Sequence, residues 1–328
     1  MRANFLVLSA VLIGCAHNPP APPDPHQVMH SHFFEPPSLA REFSPPAALV
    51  SAVPAAPSPH FEHLKGLRIA LDPGHIGGRP WDERNGKSIY NGKGESLSEG
   101  LLALQLSMLL ADQLTALGAV VYIDRGLAPV TAHAFDELSD SKHVFFQRLD
   151  LDARAERLWA FHPDLTLILH FDADKNNLDE PGERCNDTKA YVLGAFMRED
   201  LKDEVENAFV KIAWRHPEAW EESLRLSRAI VDQIHLKLGI PLAVKPTNDA
   251  QVLEPGVLAR SLRLQRHLAG YVSSYVETLC YEDAMEFQEL RRGDFTLTID
   301  GRSYTYSPRL KQLATAIRDG VVHFSESR

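Results

Sequence analysis

LRIALDPGH, running from Leu67 to His75, is an apolar stretch with one arginine that stops in a turn and delivers a histidine. Leu67 to Asp72 reads as a strand buried on both faces, and Asp-Pro-Gly is a turn signal. The pattern recurs in AVVYID (Ala119 to Asp124), LTLILH (Leu165 to His170), AYVLG (Ala190 to Gly194) and YVSSYVETL (Tyr271 to Leu279). Helical spacing fills the intervals. From Glu99 to Leu117, Leu102, Leu106, Leu109, Leu110 and Leu114 fall on a helical period that stops at Gly118, a C-terminal glycine signal. Asp150 to Phe161, Glu221 to Leu238 and Pro308 to Phe324 read as further helices. Strands alternating with helices predict an α/β fold: one domain with a mixed, mostly parallel central sheet flanked by helices. FTLTI-DG-RSYTY predicts a late β-hairpin turning at Asp300-Gly301. No internal repeat is evident.

The 328 residues are 44% apolar and 24% charged, ordinary content for a chain with a sizeable core. A net charge of -10 supplies no basic field for a phosphate backbone, which argues against nucleic acid as partner. Phe5 to Ile13 is too short and too close to the N-terminus for a membrane span but suits the apolar region of a signal peptide, here residues 1–14. LIGC, Leu12 to Cys15, resembles the bacterial lipobox, which implies lipidation at Cys15 and a membrane held through that anchor. Ala16 stands where enterobacterial lipoproteins retained at the inner membrane carry aspartate, so an outer-membrane anchor facing the periplasm is implied. Residues 15–64 are rich in proline and alanine and read as an extended tether in which His17, His26, His30, His32 and His60, without a fold to fix them, read as spacer. The globular part is 65–328.

Open α/β sheets place their ligand sites at strand C-termini. His75 follows the first strand, Glu99 opens the first long helix and His170 ends the third strand, so all three can converge at one sheet edge. Two imidazoles and a carboxylate form a set that holds zinc with one position open for water. By spacing alone, each histidine reads equally as a surface or hydrogen-bonded core residue.

DPGHIGG (Asp72 to Gly78) resembles the signature of zinc-dependent N-acetylmuramoyl-L-alanine amidases of the amidase_3 type. SEGLLALQLSMLLADQLTALGAVVYIDR is similar to that family's ligand glutamate, long helix, glycine, strand and arginine, which puts Glu99 at the ligand and Arg125 at the strand end. LDLDARAERLWAFHPDLTLILHFDAD resembles the arginine-bearing helix and ligand-histidine strand, here Arg154 and His170. YVSSYVETLCYEDAMEF resembles the late strand whose glutamate does the acid-base work, here Glu277, and SPRLKQLATAIRDGVVHF is similar to the closing helix. The resemblance implies a peptidoglycan hydrolase with one Zn2+ per chain on His75, Glu99 and His170. It would cleave the amide between N-acetylmuramic acid and L-alanine, with Glu277 carrying the proton from water to the leaving amine. Asp72 is placed to orient His75 or to make the turn; Arg154 to meet substrate carboxylates or brace its helix. An activator protein is not specified by any of these residues.

This chain departs from the family pattern beside its candidate ligands. Ile76 interrupts the glycine run, Gly100 stands for the usual lysine, Phe171-Asp172 follows His170, and Ser261 stands beside Arg260 where asparagine is expected. Glu95 is a second candidate carboxylate; Glu99 opens the helix and keeps the family's distance to Arg125, while Glu95 reads as solvated in a glycine-rich loop. A zinc peptidase or carboxypeptidase acting on cell-wall peptides would use the same ligands, and a degenerate wall-binding lipoprotein would keep the fold without the chemistry. Cys185 and Cys280 can pair in an oxidising compartment, although their spacing does not show that they meet. Phe196 to Ala219 is longer than a connection requires and reads as a lid, an autoinhibitory helix or a packed amphipathic surface helix.

Overall fold

The structure, a computed structural model, describes residues 64–75, 87–124, 140–174, 177–181, 184–198, 200–202, 204–246, 249–293, 295–299 and 302–328. Cys15 and the tether, Ile76 and the glycines after it, Arg125 and the Asp300-Gly301 turn lie outside the described residues. In chain order the elements are β1 Arg68–Pro73, β2 Ser88–Tyr90, β3 Ser96–Ser98, α1 Glu99–Ala116, β4 Val120–Ile123, α2 Asp140–Phe161, β5 Leu165–Asp172 and β6 Lys189–Leu193. Then follow α3 Glu204–Arg215, α4 Pro217–Leu238, β7 Gln251–Glu254, β8 Val257–Arg260, α5 Arg263–His267, β9 Ser273–Cys280, α6 Ala284–Arg291, β10 Phe295–Ile299, β11 Arg302–Tyr306 and α7 Pro308–Glu326.

Seven strands form one sheet in the order β4-β1-β5-β9-β6-β8-β7. The pairs β1/β4, β1/β5, β5/β9 and β6/β8 are parallel, whereas β6/β9 and β7/β8 are antiparallel. This is the mixed, mostly parallel sheet expected from the sequence, and β10 and β11 form the expected late hairpin. The two faces of the sheet differ because side chains alternate along a strand. Ile69, Leu71, Leu165, Leu167, Leu169, Phe171, Ala190, Val192 and Val276 belong to the main core, shared with α1, α4 and α7. Asp72, His170, Lys189, Tyr191, Tyr275 and Glu277 occupy the alternate positions and so share the other face.

Helix ends follow local chemistry. Ser98 caps α1, its hydroxyl accepting from Leu101 N at 3.4 Å, and the helix ends before Gly118, whose φ of +92° needs glycine. The structure starts α4 at Pro217, four residues before the periodic reading at Glu221. Proline in the first turn is a start signal independent of the apolar period. The structure also starts α2 at Asp140, well before the reading at Asp150. The short elements β2, β3, β7, β8 and α5 carry too few residues to display any period. In α3, Phe209 and Val210 are buried, and the Phe209 ring stacks on His267 of α5 at 4.5 Å. Of the readings open for 196–219, the helix at 204–215 is therefore a packed amphipathic one. Cys185 and Cys280 are joined as a disulfide with Cα atoms 5.7 Å apart, tying the approach to β6 to the end of β9. Among the described residues no helix is long and apolar enough to cross a membrane.

The tightest packing lies between α4 and α7, where Ile230, Ile234, Ile317, Val321 and Phe324 are buried. Gly320 makes it possible: a Cβ there would sit 2.6 Å from Ile230 Cα and 2.9 Å from Ala229 O, both backbone atoms that cannot swing aside. Gly320→Ala should therefore destabilise the fold by about 1–3 kcal/mol despite alanine's better helix propensity. Urea unfolding of the variant beside wild type measures this; equal or greater stability would show that the helices are not in contact at Gly320.

Candidate active site

β1 ends at Pro73, and Gly74 N donates to Leu169 O at 2.9 Å, holding the turn against β5. A Cβ at Gly74 would come 2.1–2.5 Å from three atoms of the His170 ring. Glycine is required here for close approach: the imidazole lies where a side chain would otherwise be. His75 follows with φ +50°, a left-handed conformation uncommon outside glycine and asparagine, which turns its ring back toward β5. The rings of His75 and His170 meet edge to face, 4.8 Å between centroids.

Glu99 enters from the N-terminus of α1 and is wholly buried. Its Oε1 lies 2.8 Å from His170 Nδ1 and 3.6 Å from His75 Nε2, and accepts from Phe171 N at 3.2 Å. By strand parity that amide faces the β1 edge of β5, beyond the last β1/β5 pair, Pro73 with Leu169. One ligand atom from each of His75, Glu99 and His170 lies within 4.8 Å of the others. Burial lowers the His75 imidazole to about 3 and holds His170 well below the usual range, so both rings are neutral, the form a metal binds. Burial raises the Glu99 carboxyl, and its Oε2 is buried without a hydrogen-bond partner among the described residues. Neutral imidazoles, a wholly buried carboxylate and an oxygen without a hydrogen bond fit a divalent ion of the zinc type.

Glu277 pairs with His170 across β5/β9 and with Lys189 across β9/β6. It is 6% exposed, and its Oε2 has no hydrogen-bond partner among the described residues. Burial raises its carboxyl well above the usual range, and the negative charges of Asp172 and Glu99 add to the effect. Lys189, its cross-strand neighbour, is 2% exposed, with its ammonium 2.6 Å from Asp172 Oδ2 and 2.8 Å from Asp187 Oδ1. Tyr275, one step along the same strand face, stacks on His170 at 4.3 Å and meets Tyr191 edge to face at 5.8 Å.

Asp72 and Arg154 stand behind the cluster. Arg154 is buried; its Nη1 donates to Asp72 Oδ1 and to Pro73 O, both at 2.9 Å, and its Nε donates to Asp150 Oδ2 at 2.8 Å. So placed, the guanidinium braces the strand end just ahead of Gly74 and His75. Glu95 lies apart in the β2-β3 loop, paired with Arg291 at 2.7 Å. Lys87, Lys189 and Tyr275 were not singled out from sequence. Strand parity with Glu277 and the aligned neighbouring strand carried a signal for the last two; Lys87 gave none.

No protein-family model and no curated protein sequence matches the chain. Solved structures do. One is the N-acetylmuramyl-L-alanine amidase Ami1 from Mycobacterium smegmatis, 19% identical with a TM-score of 0.48, over 81% of this chain and 99% of that one. A second is the N-acetylmuramoyl-L-alanine amidase from Clostridium difficile 630, 15% identical with a TM-score of 0.48, over 80% and 99%. A third is the N-acetylmuramoyl-L-alanine amidase AmiC2 of Nostoc punctiforme, 16% identical with a TM-score of 0.44, over 80% and 99%. These three solved structures are N-acetylmuramoyl-L-alanine amidases, each less than 20% identical to this chain.

Proposed function

We propose that this chain is a zinc-dependent peptidoglycan hydrolase that cleaves the amide bond between N-acetylmuramic acid and L-alanine of the stem peptide. The observation that carries the reading is the His75-Glu99-His170 cluster with Glu277, whose buried Oε2 has no hydrogen-bond partner among the described residues, on the same sheet face as His170. The choice of bond is supported by the likeness of DPGHIGG and YVSSYVETLCYEDAMEF to the amidase motifs.

His75, Glu99 and His170 would hold the ion. When bound there, zinc supplies Lewis acidity, which brings the pKa of a water to about 7 and polarises a carbonyl. Glu277 takes one proton from the attacking water and gives it to the departing amine nitrogen, so that one C–N bond breaks, one C–O bond forms and the carboxylate returns to its starting state. Its surroundings suit both transfers: burial favours the protonated form, and the ammonium groups of Lys87 and Lys189 offset part of that pressure. Arg154 acts through the backbone, holding Asp72 and Pro73 so that His75 is presented to β5. Gly74 leaves room for the His170 ring.

The rest of the reading concerns location. Residues 1–14 act as a signal peptide, Cys15 carries lipid, 15–64 form a tether and 65–328 the catalytic part, anchored at the outer membrane and facing the periplasm. At ~3 Å per residue, an extended tether of this kind reaches across more than a hundred ångströms at most.

The purified whole chain should carry about one zinc, lost in His75→Ala and His170→Ala and reduced in Gly74→Ala, whose new Cβ displaces the His170 ring; unchanged zinc content in all three variants contradicts the site. Glu277→Gln keeps the shape without the basicity. It should retain zinc while losing about 10²-fold or more in turnover on purified sacculi, since acid-base catalysis contributes ~10² to 10⁴. Loss of zinc in that variant, or near-normal turnover with zinc retained, means the roles of Glu99 and Glu277 are misassigned. Mass spectrometry of the products identifies the bond: intact stem peptides with a free L-alanine amine support the amidase, whereas shortened stems indicate the peptidase. Cys15→Ser should move the protein from the membrane to the soluble fraction.

A further inference from the structure

Glu99 brings a buried negative charge to the cluster, and its two oxygens face different partners. Oε1 is turned to His170 Nδ1, His75 Nε2 and Phe171 N. Oε2 faces Lys87, whose Nζ is 3.7 Å away. Among the described residues Lys87 is the one lysine or arginine within ion-pair distance of Glu99, and at that separation the contact is one of charge, without a hydrogen bond. The two ends of the pair differ in access: the Glu99 side chain is 0% exposed and that of Lys87 is 46% exposed. Lys87 therefore spans from solvent to the buried carboxylate.

The base of this side chain is fixed, while its tip meets Glu99 without a hydrogen bond. Lys87 has a left-handed φ of +44°, and its carbonyl accepts the Tyr281 hydroxyl from the turn after β9. Its four-carbon stem ends in an ammonium that needs no particular orientation to pair with a carboxylate. A buried carboxylate without a cation is costly, so a positive charge beside Glu99 has a clear value whenever the cluster lacks a metal.

We propose that Lys87 is the resident cation of the metal site: its ammonium neutralises Glu99 while zinc is absent and gives way when zinc arrives. The proposal rests on the reading of His75, Glu99 and His170 as zinc ligands. One charge then has two effects of opposite sign. It steadies the empty cluster, and by like-charge repulsion it weakens the cluster's hold on a divalent ion. A partner that only oriented Glu99 would behave differently, since removing it would weaken metal binding by ~10 to 100-fold. The absence of a hydrogen bond at 3.7 Å leaves little orienting force to lose, so the repulsion decides the sign. Zinc occupancy would thereby depend on the supply of zinc instead of being permanent.

The test uses the purified whole chain, its zinc dissociation constant measured by competition against a chromophoric chelator, and thermal unfolding of the zinc-free protein. Lys87→Met should bind zinc at least about tenfold more tightly than wild type, and its zinc-free form should unfold at lower temperature. Lys87→Gln, polar but uncharged, should follow Lys87→Met; Lys87→Arg, which keeps the charge, should follow wild type. Unchanged or weaker zinc binding in both neutral variants overturns the proposal, as does an unchanged unfolding temperature of their zinc-free forms. If wild-type binding is lost in His75→Ala and His170→Ala while the Lys87 variants match wild type, the role of Lys87 falls and the zinc site stands. If wild type shows no saturable zinc binding, both fall.

Discussion

The wholly buried carboxylate of Glu99 is the constraint around which the site is arranged. A charge taken out of water must be met by nearby groups, and here three segments meet it at once: the turn after β1 through His75, β5 through His170 and the Phe171 amide, and the start of β2 through Lys87. Each of those contacts makes its own demand on the backbone. Gly74 must lack a side chain because His170 lies against it, and His75 adopts positive φ as its ring turns inward.

The two-faced sheet explains how such a polar cluster coexists with a stable fold. Alternate residues of β1, β5, β6 and β9 lock into the layer of α1, α4 and α7, where burial of each large apolar side chain contributes about 1.5–3 kcal/mol. The intervening residues carry Asp72, His170, Lys189, Tyr275 and Glu277 on the opposite face. A one-residue slip of β9 would move Glu277 into the apolar layer and Val276 out of it, so core packing fixes the catalytic register. The Cys185–Cys280 disulfide closes the chain around this region, joining the approach to Lys189 with the strand end just past Glu277.

The long elements were legible because their periods are long. Leu102 to Leu114 repeat over more than three turns, and LTLILH and LRIALD are apolar on both faces, so α1, β5 and β1 stand out from the residue pattern alone. The antiparallel insertion of β6 between β9 and β8 was not, since strand direction is fixed by contacts between residues far apart in the chain. His75, Glu99, His170 and Glu277 could be named because motif likeness supplied spacings that local chemistry could not. Lys87 could not be named: it stands twelve residues before Glu99, and its approach to Oε2 is a product of the tertiary fold. The pairing of Cys185 with Cys280 was left open for the same reason.

The central claim is that His75, Glu99 and His170 hold one zinc ion and Glu277 stands beside it without binding it. Anomalous diffraction from crystals of the zinc-loaded protein, collected on both sides of the zinc edge, tests this directly. The expected map has one strong peak within ligand distance, ~2.0–2.2 Å, of one atom each from His75, Glu99 and His170, with the Glu277 carboxylate outside that range. A peak bonded to Glu277 in place of Glu99, or located away from these histidines, would contradict it.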